Sequence, residues 1–240
     1  FQLYSSRNVA SQEDFLSQLS ELGYTSVEGY GGVYGDPQSF SSAMAANGLT
    51  MPSGHFGIDD LRDDFDGVMM LADTLGIKHV IVPYLVAEAR PTDNAGWQAL
   101  ARELSAIGAN VRATGRTFSW HNHDFEFQAL EGSLPYDLLL ENTDPQIVSM
   151  ELDLYWIHKA GLSAEQYFAS HPGRFKLCHV KDMASNGDMV DVGSGNLDFA
   201  HILKIARENG IEHFYVEHDR PVNPIATVTA GYRALAALAF

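Results

Sequence analysis

The segment Phe118-Ser-Trp-His-Asn-His-Asp-Phe-Glu-Phe127 reads as a β-strand, because it is rich in aromatic residues and carries two histidines at alternate positions. Side chains two apart on a strand point to the same face, so His121 and His123 enter one space together. Packing alone does not explain two imidazoles on an apolar strand. They need carboxylate partners, a metal ion or a substrate. The rest of the sequence must supply those partners.

The chain repeats one unit, a strand followed by a helix, on both sides of this segment. The eight predicted strands cover residues 1–7, 25–29, 49–55, 79–85, 117–124, 147–156, 175–182 and 213–219. Such alternation favours a parallel sheet, and eight units in roughly 250 residues are typical of a TIM barrel. An open doubly wound sheet usually has a glycine-rich turn after its first strand, and none follows the first strand here. We predict an α/β fold, a (β/α)8 TIM barrel, in one domain over residues 1–240.

The composition excludes several classes of function. Asp and Glu number 31 against 15 Lys and Arg, a formal net charge of −16 without basic runs, so we expect no nucleic-acid partner. The charge also disfavours anionic membranes, and no stretch approaches the roughly 20 apolar residues of a transmembrane helix. Cys178 is the single cysteine, which excludes a disulfide framework. We expect a soluble protein, cytoplasmic or periplasmic. The sequence leaves open a removed leader before Phe1 and a homodimer.

Polar side chains collect at the C-terminal ends of the predicted strands. They are Glu28, His55, Tyr84, His121, His123, Glu151, Asp153, His179, Lys181, Asp182, Glu217 and Asp219. In a TIM barrel these ends meet on one face, where the active site lies. Ion pairs that brace the barrel are the alternative explanation, but the polar groups fall at the same end of nearly every strand. Carboxylates and imidazoles without thiolates suit a divalent metal such as Mn²⁺, Co²⁺, Mg²⁺ or Zn²⁺.

A series of short motifs occurs in order along nearly the whole chain. They are Val27-Glu28, Ser53-Gly-His55, His121-Asn-His-Asp-Phe-Glu-Phe127, Glu151-Leu-Asp-Leu-Tyr-Trp156 with Lys159-Ala-Gly161, Cys178-His-Val-Lys-Asp182, Val192-Gly-Ser-Gly-Asn-Leu-Asp-Phe199 and Val216-Glu-His-Asp219. Together they resemble the xylose isomerase-like TIM barrels, the sugar phosphate isomerase/epimerase superfamily, which also includes endonuclease IV-like proteins. The set is specific for the superfamily and much less so for a substrate. The acidic charge opposes a DNA-repair role.

The resemblance implies a metal ion held at four strand ends. Asp153, His179 and Glu217 match three of the family's ligand positions. The fourth is usually a Glu, and His121 stands there in this chain. Either His121 coordinates the metal, or Glu151 replaces the missing carboxylate. We favour Glu151, because it would otherwise be a buried charge without an obvious partner. The predicted cofactor is one divalent metal ion, with Mn²⁺ favoured and Co²⁺, Mg²⁺ or Zn²⁺ as alternatives.

The resemblance also implies chemistry next to a carbonyl, on a small-molecule carbohydrate. In the ketose 3-epimerases of this fold, two metal-bound carboxylates on opposite substrate faces remove and return a proton, and the metal stabilises the enediolate. The resemblance implies that Glu217 would serve as one such base here, and His121 or His123 would present the other face. We therefore predict a divalent-metal-dependent sugar isomerase or epimerase.

Two other functions stay open at this point. An asymmetric pair of groups also suits β-elimination, because one can abstract a proton next to a ketone while the other protonates a departing hydroxyl or sugar. A lyase or hydratase on 3-keto-sugars or 3-keto-glycosides is therefore the alternative. A non-catalytic sugar-binding barrel is the third possible function.

Four more residues are predicted to serve the site. Lys181 would hold a carbonyl, hydroxyl or phosphate, and it is included among the catalytic residues. His55 and Glu28 are predicted to contact substrate from neighbouring strand ends. Trp156 would stack on the C–H-rich face of a sugar ring.

Overall fold

Seven parallel strands form the main sheet, and each is hydrogen-bonded to the next one along the chain. The computed structural model describes residues 1–238. The strands in chain order are β1 (Ser26–Gly29), β2 (Thr50–His55), β3 (His79–Val82), β4 (Thr117–His121), β5 (Val148–Asp153), β6 (Phe175–Val180), the separate antiparallel hairpin β7 (Asp182–Met183) and β8 (Met189–Val190), and β9 (His213–Val216). In the main sheet, β9 pairs with β6.

The start of the chain closes the sheet into a barrel. Gln2 donates its backbone N–H to Val216 O at 3.0 Å, and Glu28 donates its own to Phe1 O at 2.8 Å. Phe1 and Gln2 therefore lie between β9 and β1 and join the two edges. The predicted α/β TIM barrel is confirmed.

The number of strands differs from the prediction. Within residues 1–238 the main sheet has seven strands. The first of the eight predicted strands, over residues 1–7, is reduced to an isolated bridge at Gln2. The chain turns directly into the 3₁₀-helix Leu3–Ser6, because the side-chain oxygen of Gln2 accepts the N–H of Tyr4 at 2.5 Å and caps that turn.

Helices pack around the sheet between the strands. Within residues 1–238 they are α1 (Gln12–Leu22), α2 (Pro37–Ala46), α3 (Ile58–Asp63), α4 (Phe65–Leu75), α5 (Asn94–Ala113), α6 (Pro135–Asn142), α7 (Leu154–Lys159), α8 (Ala164–Ser170), α9 (Phe199–Glu208) and α10 (Pro224–Ala236). No helix in this described part is both long and apolar enough to cross a membrane.

Two acidic caps explain two departures from the predicted pattern of one strand followed by one helix. The single helix expected after β2 is divided at Asp64, whose side chain accepts the N–H of Gly67 and starts α4. The strand expected over residues 147–156 ends at Asp153, whose Oδ1 accepts the N–H of Trp156 at 3.1 Å. Trp156 therefore lies on α7, above the strand end.

The strand register brings the polar ends together. His121 on β4 stands beside Glu151 on β5, and Asp153 on β5 stands beside His179 on β6. Neighbouring strands lie about 4.8 Å apart, so side chains in register on one face touch. Leu177 and Tyr215, each two residues before a polar strand end, form an apolar cluster with Ile81. The barrel interior thus changes from apolar to charged near the C-terminal ends.

Candidate active site at the C-terminal end of the barrel

Four buried side chains from four strands meet in one place. His55, His121, Glu151 and His179 each offer a donor atom, and these atoms lie within 4.8 Å of one another. Glu151 Oε2 lies 2.8 Å from His55 Nε2 and 3.2 Å from both His121 Nδ1 and His179 Nε2. We call these four residues the inner group. Three imidazoles thus surround one carboxylate oxygen.

Glu28 borders the inner group from β1. Its Oε1 lies 2.6 Å from His179 Nε2 and 3.1 Å from His55 Nε2. Its Oε2 accepts a hydrogen bond from Ser53 Oγ at 2.6 Å, and Gln2 Nε2 donates to Oε1 at 3.1 Å. The carboxylate is fully buried. This position favours an electrostatic role for Glu28 over the substrate contact predicted from the sequence.

A second group of possible metal ligands shares His179 with the first. Asp153, His179 and Glu217 also offer donor atoms within 4.8 Å of one another, and we call them the outer group. His179 Nδ1 lies 2.7 Å from Glu217 Oε2. The Lys181 ammonium stands among these carboxylates, 2.8 Å from Asp153 Oδ2 and 2.6 Å from both Glu217 Oε2 and Asp219 Oδ1. Lys181 therefore binds carboxylates instead of standing free for a substrate.

A cavity of about 840 Å³ reaches these groups from the surface. Its volume falls in the range of roughly 300–1,000 Å³ that is usual for small-molecule sites. Of the residues predicted to form the site, the cavity is lined by His55, His121, His123, Trp156, Lys181 and Glu217. Glu28, Glu151, Asp153 and His179 are fully buried and do not line it.

His123 stands apart from the charged groups, on an aromatic wall of this cavity. Its ring centroid lies 5.0 Å from that of Tyr84, 5.9 Å from that of Trp156 and 6.2 Å from that of Phe125. Its Nδ1 has no hydrogen-bond partner within the described residues. Burial, with a contribution from Lys181, lowers the pKa of His123 to about 3. The imidazole is therefore neutral at pH 7.

Glu126 fixes the backbone of His123, a role that was not predicted from the sequence. Its Oε2 accepts the backbone N–H of His123 at 2.9 Å, and its Oε1 accepts Trp120 Nε1–H at 3.1 Å. Burial raises the pKa of this fully buried carboxyl to about 8. A lone Glu between Phe125 and Phe127 was the available signal, because a charged residue inside an aromatic run needs a partner.

Protonation balances the charges of the two groups. Although burial alone would lower it, the neighbouring carboxylates raise the pKa of His55 to about 9 and that of His179 well above its usual value. These imidazoliums overcome the effect of burial on Glu28 and hold its pKa well below the usual range. Lys181 and His179 likewise lower the pKa of Glu217. Without a metal, protons on imidazoles neutralise the buried carboxylates.

For two other members of the groups, the effect of burial on the pKa prevails over that of the neighbouring opposite charges. It lowers the pKa of His121 well below its usual value, and His179 and His123 add to that effect. Burial also raises the pKa of Asp153 to about 6, against the opposing effect of Lys181. His121 is therefore a neutral imidazole with a lone pair to offer.

The residues of these groups fit a divalent metal ion. Within the described chain, Glu151 Oε1 is buried without a hydrogen-bond partner. His121 Nδ1 faces Glu151 Oε2 but makes no aligned hydrogen bond. Buried polar atoms without a partner are costly unless a ligand satisfies them. The donor atoms are carboxylate oxygens and imidazole nitrogens, which bind divalent transition metals.

The ligand set predicted from the sequence is divided between the two groups. Asp153, His179 and Glu217 meet in the outer group, whereas Glu151 lies in the inner group beside His121. His179 belongs to both. His121 and Glu151, the two alternatives for a fourth ligand, are therefore not mutually exclusive, because both belong to the inner group.

Comparison with known proteins places the fold in a family. The model of the xylose isomerase-like TIM barrel family matches residues 16–238. The chain belongs to this family. An inosose dehydratase of Salmonella agona is 24% identical over 230 residues, a match that spans 80% of this chain and 75% of that protein.

Solved structures resemble the whole barrel. A sugar phosphate isomerase/epimerase from Parabacteroides distasonis superposes with a TM-score of 0.84 at 25% identity, covering 99% of this chain and 92% of that one. The IOLI protein, solved with a bound zinc atom, has a TM-score of 0.78 at 16% identity and covers 98% of this chain and 95% of its own. The second likeness shows the fold alone.

Proposed function

We propose that the protein is a divalent-metal-dependent lyase that eliminates water or an alcohol from a keto-sugar or related keto-carbohydrate. The observation that carries this proposal is the contrast between His123 and the carboxylates. His123 is a neutral imidazole on the cavity wall, whereas Lys181 and His179 hold Glu217. His123 is thus a base on the cavity wall that stands away from the carboxylates and from Lys181.

His123 can perform both proton transfers of an elimination. As a neutral imidazole it accepts the proton from the carbon next to the substrate carbonyl. The resulting imidazolium is a strong acid, because burial lowers its pKa to about 3. It returns the proton to the oxygen that departs from the β carbon. The products are an unsaturated ketone and water or an alcohol, and His123 is neutral again.

Lys181 and its three carboxylates supply a fixed charge pattern around this step. The ammonium lies 2.6–2.8 Å from Asp153, Glu217 and Asp219 and remains protonated, since these neighbours raise its pKa well above the usual value despite burial. It therefore serves to position these carboxylates. It is a poor proton donor for catalysis.

A divalent cation held by His179 and the donors around it would polarise the substrate carbonyl and lower the cost of removing the neighbouring proton. Glu151 Oε1 and His121 Nδ1, both buried without a hydrogen-bond partner, support the binding of such an ion. The name of the Salmonella agona relative, an inosose dehydratase, supports elimination from a ring ketone as the reaction class.

Product analysis tests the reaction class. The metal-loaded protein would be incubated in D₂O with a keto-inositol and, separately, with a 3-keto-glycoside, and followed by proton NMR. We expect an unsaturated ketone together with loss of water or release of the alcohol. Substrate recovered with deuterium next to the carbonyl and inverted configuration would instead identify an epimerase. Binding without any change would identify a sugar-binding barrel.

Isomerisation or epimerisation, the activity predicted from the sequence, remains the second candidate. The Parabacteroides distasonis structure, at 25% identity, carries that name. Glu217 lines the cavity and could act as the second base. Its ion pair with Lys181 and His179 would first have to open, which is why we place this candidate second.

A further inference from the structure

We infer that Tyr84 forms a subsite for the leaving group, and that this group is an aromatic alcohol joined to the keto-sugar as a glycoside. The inference rests on the proposed elimination and names its substrate class. In that reaction the carbon next to the ketone loses its proton to His123 while a carbon–carbon double bond forms. The bond from the β carbon to the glycosidic oxygen breaks, and this oxygen takes the proton from His123 and departs as the alcohol.

The cavity at the site is larger than one sugar ring requires. Its volume is about 840 Å³. A sugar ring of about twelve heavy atoms fills less than half of that, even at the roughly 30 Å³ that a molecule occupies in liquid water. A substrate that fills the cavity therefore carries a second group of similar size. Elimination of water alone would leave this space unused.

Tyr84 presents an exposed aromatic ring to this cavity. Of the large apolar side chains that are exposed within residues 1–238, only Tyr84, at 44%, and Tyr4, at 40%, line the cavity. Tyr4 lies at the start of the chain, between β9 and β1. Tyr84 instead contacts the proposed base, with its ring centroid 5.0 Å from that of His123. Aromatic rings bind other planar rings by stacking.

Tyr84, His123 and Trp156 stand in this order along the cavity wall. They follow β3, β4 and β5, which are consecutive neighbours in the sheet. The ring centroid of His123 lies 5.0 Å from that of Tyr84 and 5.9 Å from that of Trp156. A glycoside whose joining oxygen lies at His123 thus extends its sugar toward Trp156 and its leaving group toward Tyr84. The order of the three side chains matches the order of leaving group, oxygen and sugar.

Arg90 fixes the ring of Tyr84 in this position. Its Nη2 donates to Tyr84 Oη at 2.6 Å and its Nε to Leu85 O at 3.0 Å, while its Cζ lies 3.7 Å from the ring centroid of Phe125. A ring that is held before binding loses little conformational freedom when a ligand stacks on it. The guanidinium also attracts the face of an aromatic ring. Both effects favour an aromatic leaving group over an aliphatic one.

Elimination from two keto-glycosides tests the subsite in the metal-loaded protein. The substrates would be the phenyl and the methyl 3-keto-glucosides, and kcat/KM would be measured for each. We expect Tyr84→Ala to lower kcat/KM for the phenyl substrate by about tenfold and that for the methyl substrate by less than about twofold. Tyr84→Phe keeps the ring and should keep most of the preference for the phenyl substrate. Val86→Ala, in the same loop and away from the cavity, is the matched control.

Binding of the unoxidised phenyl and methyl glucosides gives a measurement that needs no turnover, because these compounds lack the ketone and cannot react. In calorimetric titration the wild type should bind the phenyl glucoside about tenfold more tightly than the methyl glucoside. Tyr84→Ala should remove this difference, whereas Tyr84→Phe and Val86→Ala should retain it. Circular dichroism of each variant shows whether it is folded.

Equal affinity of the wild type for the two glucosides would overturn this inference. So would a preference for the phenyl compound that Tyr84→Ala leaves unchanged. The outcome is separable from that of the proposed function. Elimination from both keto-glycosides without any dependence on Tyr84 would leave the lyase standing and refute the subsite. A phenyl preference that is lost in Tyr84→Ala, in a protein that forms no elimination product, would do the reverse.

Discussion

His123 is the single residue on which the proposed reaction depends most. Its neighbours are aromatic rings, and its backbone N–H is fixed by Glu126 at 2.9 Å. A neutral imidazole in such surroundings is a base whose protonated form gives its proton back readily. The buried imidazoles of His55 and His179, by contrast, contact carboxylates and serve charge balance.

The substitution His123→Gln tests this role at the residue scale. Gln keeps a polar side chain of similar reach but cannot carry the proton, so kcat should fall by roughly 10²–10⁴-fold. The affinity for zinc should stay unchanged, since His123 belongs to neither group of ligands. Steady-state kinetics and calorimetric titration measure the two effects. A variant with near-wild-type kcat would exclude His123 as the base.

Glu126 gives a second prediction, on stability. Burial raises the pKa of its carboxyl to about 8, so the folded state holds a proton that the unfolded state releases near its ordinary pKa of about 4.3. The stability contributed by this proton is complete below that lower value and is lost as the pH rises through 8. The wild type should therefore lose up to about 1.4 kcal/mol of unfolding free energy per pH unit relative to Glu126→Gln across this window.

Urea unfolding of both proteins at pH 5, 6, 7 and 8 measures that difference. Glu21→Gln, at an exposed position on α1, is the control and should run parallel to the wild type. A difference between wild type and Glu126→Gln that stays constant with pH would contradict the raised pKa.

At the scale of elements, one carboxylate organises the loop after the hairpin. Asp182 Oδ2 accepts the N–H groups of Gly193 and Gly195, both at 2.9 Å, and Oδ1 accepts those of Met183 at 2.8 Å and Leu197 at 3.3 Å. In the sequence, Asp182 is one of the strand-end carboxylates. Its hydrogen bonds show that it braces a loop. This loop leads from the hairpin to α9.

Gly195→Ala should loosen this loop. A Cβ added at Gly195 would stand 2.2 Å from Asp182 Oδ1, so either the carboxylate or the loop must move. We expect a loss of about 1–3 kcal/mol in unfolding free energy, the usual cost of such overpacking. Gly35→Ala is the matched control, because a Cβ there meets nothing within 4 Å. Urea unfolding compares the two, and equal stabilities would contradict the packing argument.

The order and type of the elements were largely predictable from the sequence, whereas the residues at which they end were less so. Alternating apolar runs and caps such as Ser11 predict helices like α1 because those signals are local. The predicted strands ran too long because the aromatic pattern continues past the point where the chain turns. After Asp153, for example, Leu154 and Trp156 continue an apolar run that the structure forms as α7.

At the scale of the whole molecule, closure of the barrel depends on contacts that no local pattern contains. Gln2 reaches Val216 across more than two hundred positions of sequence, and one bridge replaces the expected strand. The candidate site shows the same limit. The sequence predicted which residues gather at the strand ends, but the division into inner and outer groups depends on side-chain direction. His179 turns one ring nitrogen to each group.

Removal and return of the metal tests the central claim, that this barrel eliminates water or an alcohol with the help of a divalent ion. The protein would be stripped with a chelator, and formation of the unsaturated ketone from a keto-inositol would be followed by proton NMR before and after addition of Zn²⁺, Co²⁺ or Mn²⁺. The account predicts no product from the stripped protein and restored product with at least one of these ions. Full activity of the metal-free protein, or epimerised substrate in place of the unsaturated ketone, would contradict it.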